Sequence, residues 1–367
     1  MMTNSLSSER QQARTYLPGV TAVRDKGHRN IISTEDLTFE EIDQITSPNS
    51  DEHSRQFFGK IVSLLFFSPS TRTRLSFVKS ATELGASPVV LNPNDLRLTD
   101  GESIKDTATA ISTYSDLIGL RVLGVHNDPQ SYDRNELFDS FTKYSSVPII
   151  NMCCNRFHPA QALADLKTLR EAFRYIHERK IVVSWAYSDS WLRPPSMPNE
   201  LLLLLCRFGL NITLAHPPGF ELENTILEQA NRNAEQNGGA LEISHDRVGA
   251  CSGADVVYAR NWVTKKFQAS DTLAEQQLHD RYSDWCYSDS WLRPIAPKIH
   301  FMHCLPVHRN CEAEDSLVDG NFSLIKRQME NRTHAQRRLL SILLEEQLKS
   351  KQLPEPVKVM RLSSTKY

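Results

Sequence analysis

Residues 60–78 read KIVSLLFFSPSTRTRLSFV, and this stretch decides the fold class. The short continuous apolar run from Lys60 to Phe67 is typical of a strand that is buried on both faces of a parallel sheet. The run breaks at Ser68-Pro69-Ser70, and apolar residues then recur at helical spacing until Gly85. The stretch therefore predicts a strand, a tight turn and a helix, which is the opening of a βαβ unit.

The same alternation continues along the rest of the chain. Capping residues at 33–36 predict a first helix with apolar positions from Leu37 to Ile45. The pattern predicts an α/β fold of two doubly wound parallel-sheet domains, joined near residues 165–180. The predicted strands are 88–91, 117–121, 147–151, 180–185, 210–215, 254–259 and 300–303, and the further helices are 103–115, 160–173, 200–208, 224–237 and 331–349.

Composition excludes several classes of protein. Hydrophobic residues make up 40% and charged residues 23%, and a formal net charge of −2 provides no field that would attract nucleic acid or an anionic membrane. No apolar run approaches the roughly 18 residues of a membrane span, and Met1 to Thr15 lacks a signal peptide's apolar stretch. The seven cysteines show neither a disulfide framework nor zinc-knuckle spacing. We therefore expect a cytoplasmic protein without a metal.

The strongest local motif is Ser70-Thr71-Arg72-Thr73-Arg74, which lies between the first strand and its helix. Backbone N–H groups at a helix N-terminus favour an anion, and the hydroxyl groups add further donors. The Arg72 guanidinium has the shape to bind two phosphate oxygens at once. The motif favours an oxyanion site over a capped, solvated surface helix.

Two further motifs are weak when each is taken alone. His158-Pro159-Ala160-Gln161 opens a helix, where the imidazole and the amide can hydrogen-bond one ligand, although such a histidine is more often structural. Phe301 to Pro306 reads FMHCLP, and it follows a predicted parallel strand. Ligands bind past the carboxyl ends of such strands, although a single cysteine such as Cys304 is more often a buried apolar residue.

Together with Asn331 to Gln336 (NRTHAQ), these motifs resemble the aspartate and ornithine transcarbamoylase family, with its SxRTR, HPxQ and HCLP motifs in the same order. The resemblance extends over most of the chain. It implies the transcarbamoylase fold and the transfer of a carbamoyl group from carbamoyl phosphate to an amine, with no metal or organic cofactor. The implied organisation is a flexible arm (1–30), a carbamoyl-phosphate-binding domain (31–165), an acceptor-binding domain (166–330), a C-terminal helix returning to the first domain (331–350) and a tail (351–367).

The resemblance also implies roles for individual residues. The amine attacks the carbonyl carbon, a tetrahedral oxyanion forms, and phosphate leaves. Six residues are implied to be catalytic, namely Arg72, Arg121, His158, Gln161, Cys304 and Arg332. The implied carbamoyl phosphate site contains these six together with Ser70, Thr71, Thr73 and Leu305.

The identity of the amine is indicated by the segment Tyr258–Val263, which reads YARNWV. Ornithine enzymes carry Asp-x-Trp and a Ser-Met-Gly loop here, and their Asp pairs with the α-amino group. Arg260 replaces that Asp and would repel an α-ammonium. The segment is closer to the branch that acts on N-acetyl- or N-succinyl-ornithine. We therefore expect an N-acylated, ornithine-like acceptor, with a different amine such as a shorter diamino acid as the alternative.

The same branch has a proline-rich loop that threads the chain into a knot, and Tyr187 to Pro198 matches that loop. Asn199 matches an asparagine that is expected to hold the acceptor's carboxylate. Glu312 occupies a position at which acetylornithine enzymes have a lysine. The resemblance thus implies four acceptor-binding residues, namely Asn199, Arg260, Trp262 and Glu312.

Family members are homotrimers in which a neighbouring subunit supplies a loop to each active site. The matching loop here is residues 95–103, in which Arg97 and Glu102 show no evident local partner. Two other classes remain open, a catalytically inactive regulatory paralogue and a nicotinamide dehydrogenase. The intact Arg72, His158 and Arg332 disfavour the first, and the absence of a GxGxxG motif after an early strand disfavours the second.

Overall fold

Two parallel β-sheets with packed helices form the core of the computed structural model, which describes residues 28–48, 55–124, 135–177, 179–189, 192–267 and 271–352. The first sheet contains β1 (Ile61–Phe66), β2 (Ser87–Leu91), β3 (Leu117–Val122) and β4 (Ile149–Cys154), in the order β2-β1-β3-β4. The second contains β5 (Lys180–Trp185), β6 (Asn211–Ala215), β7 (Ala240–Ser244), β8 (Val256–Arg260) and β9 (His300–Met302), in the order β7-β6-β5-β8-β9. The prediction of two doubly wound parallel sheets is confirmed.

The strand order determines where a ligand can bind. In the first sheet the winding reverses between β1 and β3, and in the second it reverses between β5 and β8. Loops leave such a switch point in opposite directions and open a crevice at the carboxyl ends of the strands. The carboxyl ends of β1, β3, β5 and β8 are therefore the expected walls of a site.

Strand β7 was not predicted, because its sequence carries no apolar run. Its five residues ALEIS are all exposed or half-buried, and the strand lies at the edge of the second sheet. An edge strand with one solvated face shows neither the continuous apolar pattern of a central parallel strand nor a strong alternation.

Seven of the twelve α-helices in the described residues follow predicted segments. The twelve are α1 (Phe39–Thr46), α2 (Arg72–Glu83), α3 (Ile104–Tyr114), α4 (Asn135–Tyr144), α5 (Pro159–Ala172), α6 (Ser196–Leu205), α7 (Asn224–Asn237), α8 (Arg247–Cys251), α9 (Thr272–Asp280), α10 (Asp289–Ile295), α11 (Asp315–Val318) and α12 (Ile325–Gln352). Helices α4, α8, α9, α10 and α11 were not predicted. Within the described ranges, no helix combines the length and the apolar character that a membrane crossing requires.

Helix α12 is the longest element, and it packs against α5 and α2 beside the first sheet. It begins at Ile325, earlier than the predicted start near Asn331. Its buried face carries Leu339, Leu340 and Leu343. The last described helix therefore covers helices from the first half.

The two halves are also joined through the buried carboxylate of Glu200 in α6. Its Oε1 accepts hydrogen bonds from the backbone N and the Oγ1 of Thr34, each at 2.7 Å. Its Oε2 accepts from the backbone N of His158 at 3.1 Å. Burial raises the pKa of Glu200 to about 8 despite these donors. The carboxyl group thus connects the second half of the chain to His158, the residue just before α5.

The loop at residues 95–103 corrects one expectation. Arg97 Nη1 donates to Asp100 Oδ2 at 2.9 Å, and Thr107 Oγ1 donates to Glu102 Oε2 at 2.6 Å. The prediction that Arg97 and Glu102 lack a local partner is therefore wrong. A short 3₁₀ helix, Arg97–Asp100, brings the first pair together, and its turn was not recognised in the sequence.

Three predicted features fall partly outside the described residues. They are most of the flexible arm, almost all of the C-terminal tail, and residues 190 and 191 of the proline-rich loop. The knot that this loop was predicted to form stays a prediction.

Candidate active site

A cavity of about 330 Å³ lies where the carboxyl ends of the strands of both sheets face each other. Its wall contains nine residues of the predicted carbamoyl phosphate site, together with Arg260 from the predicted acceptor site. Those nine are Ser70, Thr71, Arg72, Thr73, Arg121, His158, Cys304, Leu305 and Arg332. The structure therefore brings together residues that are up to 262 positions apart in sequence.

The turn after β1 supplies the first wall. Helix α2 begins at Arg72, and the Thr71 side chain makes no capping hydrogen bond to it. The first N–H groups of a helix lack intrahelical partners, so here they remain available to an anion. Burial lowers the pKa of Arg72, and so do the nearby Arg260 and Arg121, although Cys304 opposes the change. An anion would relieve this crowding of positive charges.

A register shift places Arg121 in the cavity. Leu120 of β3 pairs with Asn151, whereas the next residue, Arg121, pairs with Cys153, so β4 contains one extra residue at this point. A bulge of this kind re-aims the side chains beside it and is frequent next to active sites. The Nε atom of Arg121 is buried and has no hydrogen-bond partner within the described part of the chain. A ligand is the expected partner.

His158 precedes the first turn of α5, and Pro159 is the first residue of that helix. The imidazole is buried, and its Nδ1 has no hydrogen-bond partner among the described residues. Burial is the main cause that holds the pKa of His158 well below its usual value, and the nearby guanidinium groups, led by Arg332, act in the same direction. The ring is therefore neutral and can donate one hydrogen bond to a ligand.

Arg332 reaches the cavity from helix α12. Its Nη2 donates to Thr73 Oγ1 at 2.7 Å, and its Nη1 donates to Gln161 Oε1. Gln161 Nε2 in turn donates to Asp165 Oδ1 at 2.7 Å. Burial, followed by Arg72 and Arg121, lowers the pKa of Arg332 to about 10, so the group is still a cation at neutral pH.

The Asp165 carboxylate supports this arrangement from behind the cavity. Its Oδ1 also accepts from Gln328 Nε2 at 2.7 Å, and its Oδ2 accepts from Tyr258 OH at 3.0 Å. Burial raises the pKa of Asp165 to about 6, while these hydrogen bonds favour its ionised form. Gln161 therefore does not line the cavity itself, but it positions Arg332 from behind the cavity wall.

The loop after β9 forms the opposite wall. Cys304, Leu305 and Pro306 line the cavity, and Leu305 adopts a left-handed conformation with φ 54°. Leucine rarely adopts this conformation, and residues held in it cluster at ligand sites. The backbone N of Leu305 donates to His303 Nδ1 at 2.9 Å, which helps to fix the turn.

Arg260, the last residue of β8, is buried in the same wall, and its Nη1 donates to the Pro306 carbonyl oxygen at 3.0 Å. Burial lowers the pKa of Arg260, but Cys304 and Glu312 outweigh that effect, so the pKa is raised. Arg260 is therefore a permanent cation beside the Cys304–Pro306 loop.

Three of the predicted acceptor residues do not line the cavity. Asn199 Nδ2 donates to the Arg156 carbonyl oxygen at 3.2 Å, and Trp262 Nε1 donates to the Phe220 carbonyl oxygen at 3.0 Å. Glu312 is fully buried and accepts from the backbone N of Asn261 at 2.9 Å and from that of His308 at 2.6 Å. Their contact with an acceptor stays a prediction.

The sequence argument missed Arg193, which also lines the cavity. Arg193 lies in the loop between β5 and α6, and its carbonyl oxygen accepts from the backbone N of Val263 at 2.8 Å. The sequence signal that could have identified Arg193 was its position after β5, one of the two strands at the switch point of the second sheet. The cavity thus contains five arginines, Arg72, Arg121, Arg193, Arg260 and Arg332, and its described lining includes no Asp, Glu or Lys.

Comparison with known proteins shows the family. Residues 29–171 match the model of the aspartate/ornithine carbamoyltransferase carbamoyl-P binding domain, and residues 195–343 match that of the Asp/Orn binding domain. The chain belongs to the aspartate/ornithine carbamoyltransferase family. It is a carbamoyltransferase, and its arginine-lined cavity has the charge that carbamoyl phosphate requires.

Relatives of this carbamoyltransferase include both ornithine and acetylornithine enzymes. The ornithine carbamoyltransferase of Hyperthermus butylicus is 33% identical over 327 residues, covering 86% of this chain and 97% of the relative. That of Parafrankia sp. is 35% identical over 306 residues, covering 83% and 90%. A crystal structure of acetylornithine transcarbamylase complexed with acetylcitrulline superposes with a TM-score of 0.78 at 30% identity, covering 86% of this chain and 99% of that one.

Proposed function

We propose that this carbamoyltransferase transfers the carbamoyl group of carbamoyl phosphate to the side-chain amine of a small, ornithine-like amino acid whose α-amino group is acylated, and that it releases phosphate. The observation that carries the proposal is the position of Arg260. A buried guanidinium beside the Cys304–Pro306 loop repels an α-ammonium group, whereas it tolerates a neutral amide and attracts a carboxylate.

The charge of the cavity supports an acceptor that carries negative charge. Five guanidinium groups line the cavity, while carbamoyl phosphate brings at most two negative charges. The buried carboxylates Asp165 and Glu312 lie behind the wall and offset the excess only in part. An acylated amino acid adds its own carboxylate and no α-ammonium, so it complements the positive charge that remains.

The geometry suggests how the residues share the reaction. Arg72, Arg121 and the N-terminus of α2 hold the phosphate, as helix N-termini and arginines commonly do. The neutral imidazole of His158 and the guanidinium of Arg332 stabilise the carbonyl oxygen as it becomes an oxyanion. The Leu305 carbonyl holds the carbamoyl NH₂ group. The neutral amine then attacks the carbonyl carbon, and the tetrahedral intermediate collapses as its C–O bond to phosphate breaks, with the amine proton passing to the departing phosphate.

A panel of acceptors tests the proposal. We expect kcat/KM for N-acetylornithine or N-succinylornithine to exceed that for free ornithine by at least about 100-fold. The reason is that two opposite charges 4 Å apart near a protein surface attract by about 4 kcal/mol, whereas two like charges repel by the same amount. The panel also contains lysine, diaminopropionate, putrescine and aspartate, and the readouts are phosphate release and product mass.

Strong turnover of free ornithine or aspartate would contradict the acceptor assignment. If no member of the panel reacted while carbamoyl phosphate still raised the melting temperature, the donor site would stand and the acceptor would be a different amine. The Arg260→Gln variant provides the internal comparison, since it should reduce the ratio of kcat/KM for acylated ornithine to kcat/KM for free ornithine.

We further propose that the enzyme is a cytoplasmic homotrimer. All seven cysteines are free thiols, which fits a reducing compartment. An apolar groove lies beside β2, the edge strand of the first sheet, and its lining includes Val89, Leu91, Ile111 and Tyr114. Tyr114 is 75% exposed and Val89 40% exposed. A solvent-exposed apolar edge of this kind fits burial against another subunit.

Light scattering of the purified protein should give the mass of three chains. We expect Val89→Asp to shift the protein towards monomer, because a carboxylate in an apolar interface loses its hydration. Leu273→Asp is the matched control, since Leu273 is 71% exposed on α9 in the second half and should not affect assembly. A wild-type enzyme that is active and stable as a monomer would show that the trimer is wrong.

A further inference from the structure

Outside the arginine-lined cavity, a carboxylate, an imidazole and a thiol meet at the surface. Asp189, His308 and Cys311 each offer one donor atom, and these three atoms lie within 4.8 Å of one another. His308 Nδ1 is 3.0 Å from Asp189 Oδ1. Within the described ranges, no other group of His, Cys, Asp or Glu side chains brings three donors this close together.

The turn that carries His308 and Cys311 is held in place from below. The backbone N of Cys311 donates to the His308 carbonyl oxygen at 3.2 Å, and that of Glu312 donates to the same oxygen at 2.8 Å. The buried Glu312 carboxylate accepts from the backbone N of His308 at 2.6 Å and also anchors Asn261. The backbone that carries the two donors is therefore held in place before any ligand arrives. Their His-x-x-Cys spacing matches the short spacing of paired zinc ligands.

Asp189 comes from a different segment, the loop after β5. Its neighbour Ser188 is fixed there, because the Ser188 carbonyl oxygen accepts from Gln276 Nε2 at 3.1 Å. The Ser188 hydroxyl also lies 3.3 Å from His308 Nδ1. The residue before the third donor is thus held by contacts to α9 and to His308.

The mixture of donors decides which ion fits. Ca²⁺ and Mg²⁺ take oxygen ligands, whereas Zn²⁺ combines sulfur, nitrogen and carboxylate oxygen. Partial burial and the neighbouring Asp189 carboxylate raise the pKa of the Cys311 thiol. A divalent cation placed between the thiol and the carboxylate reverses that unfavourable effect, because it attracts both anions.

We propose that Asp189, His308 and Cys311 bind one Zn²⁺ ion, with solvent completing its coordination on the exposed side of Asp189. The ion joins two segments, each of which also contributes residues to the cavity wall. The loop of Asp189 continues to Arg193, and the turn of His308 follows Cys304–Pro306. The site therefore fastens the two cavity loops to each other, and it does not depend on which amine the enzyme accepts.

The test is metal titration of the full-length protein after removal of metals with a chelator. Co²⁺ serves as a spectroscopic probe because a cobalt–thiolate bond gives a strong near-ultraviolet band. We expect one equivalent of Co²⁺ to bind with this band and one equivalent of Zn²⁺ to displace it. Cys311→Ser should abolish the band, and Cys311→Ser and His308→Gln should each weaken Zn²⁺ binding at least tenfold.

Cys286→Ser is the matched control, because Cys286 is also half-buried and free but lies outside the triad. This variant should bind both ions as the wild type does, and melting curves confirm that each variant is folded. The proposal is overturned if the wild type binds no stoichiometric ion. It is also overturned if Cys304→Ser loses the cobalt band while Cys311→Ser keeps it, since the ion would then occupy the catalytic cavity.

Discussion

Replacing Arg72 with alanine is expected to lower kcat/KM for carbamoyl phosphate at least a thousandfold, about 4 kcal/mol of transition-state stabilisation. Arg72 stands at the first turn of α2, in the wall of the cavity, and its guanidinium can bind two phosphate oxygens at once. Phosphate release with a good acceptor measures the loss. Carbamoyl phosphate at 100 times its dissociation constant should stabilise the wild type by about 2.7 kcal/mol, and Arg72→Ala should lose most of this.

Arg74→Ala is a close control for this experiment. Arg74 belongs to the same helix turn but does not line the cavity. Its Nη2 donates to Asn92 Oδ1 at 2.6 Å, and its guanidinium lies 4.8 Å from the Phe66 ring centre. We expect this variant to keep activity within about threefold, as is usual for a residue outside the reaction. If Arg72→Ala behaved like Arg74→Ala, the phosphate site would have to lie elsewhere.

Replacing His158 with alanine is expected to lower kcat by about 100- to 1,000-fold, the usual loss when one oxyanion donor is removed. KM for carbamoyl phosphate should change little, because the phosphate contacts remain. Burial and four arginines hold the pKa of His158 well below its usual value. The imidazole therefore stays neutral as the pH falls through 6.5, and its titration should not appear near pH 6.5 in the wild-type pH profile.

His300→Ala removes an imidazole from the opposite, amino-terminal end of β9 and should leave kcat nearly unchanged. The fold of His158→Ala can be checked by its stabilisation with carbamoyl phosphate. A wild-type rate that falls as the pH rises through 6.5, with that fall absent in His158→Ala, would show that the histidine acts as a charged group. The proposed role of a neutral donor would then be wrong.

The first half of the site was predictable because its signals are local. The apolar run before Ser68, the hydroxyl-rich turn and the following helix lie next to one another in sequence, and each is specified by its own residues. The central strands β1, β3, β5 and β8 were equally clear, because burial on both faces demands continuous apolar runs.

The rest depends on distant contacts that local patterns do not encode. The eight residues YSDSWLRP occur at 187–194 and again at 287–294. The second copy contributes most of helix α10, whereas the described residues of the first form no helix or strand and bring Arg193 into the cavity. One sequence thus adopts two structures, because tertiary packing overrides a weak local preference. Arg193 was missed for this reason.

The position of α12 has a consequence for biosynthesis. The helices it covers, α2 and α5, are complete by residue 172, whereas α12 begins only at Ile325 and carries Arg332. At roughly 5 to 20 residues per second, the ribosome adds the intervening segment in about 8 to 30 seconds. During that interval the nascent first half lacks the helix that packs against α2 and α5. It also lacks Arg332, one of the five arginines of the cavity. The unfinished chain is therefore exposed to chaperones and to aggregation, and it is incapable of catalysis until α12 has been synthesised.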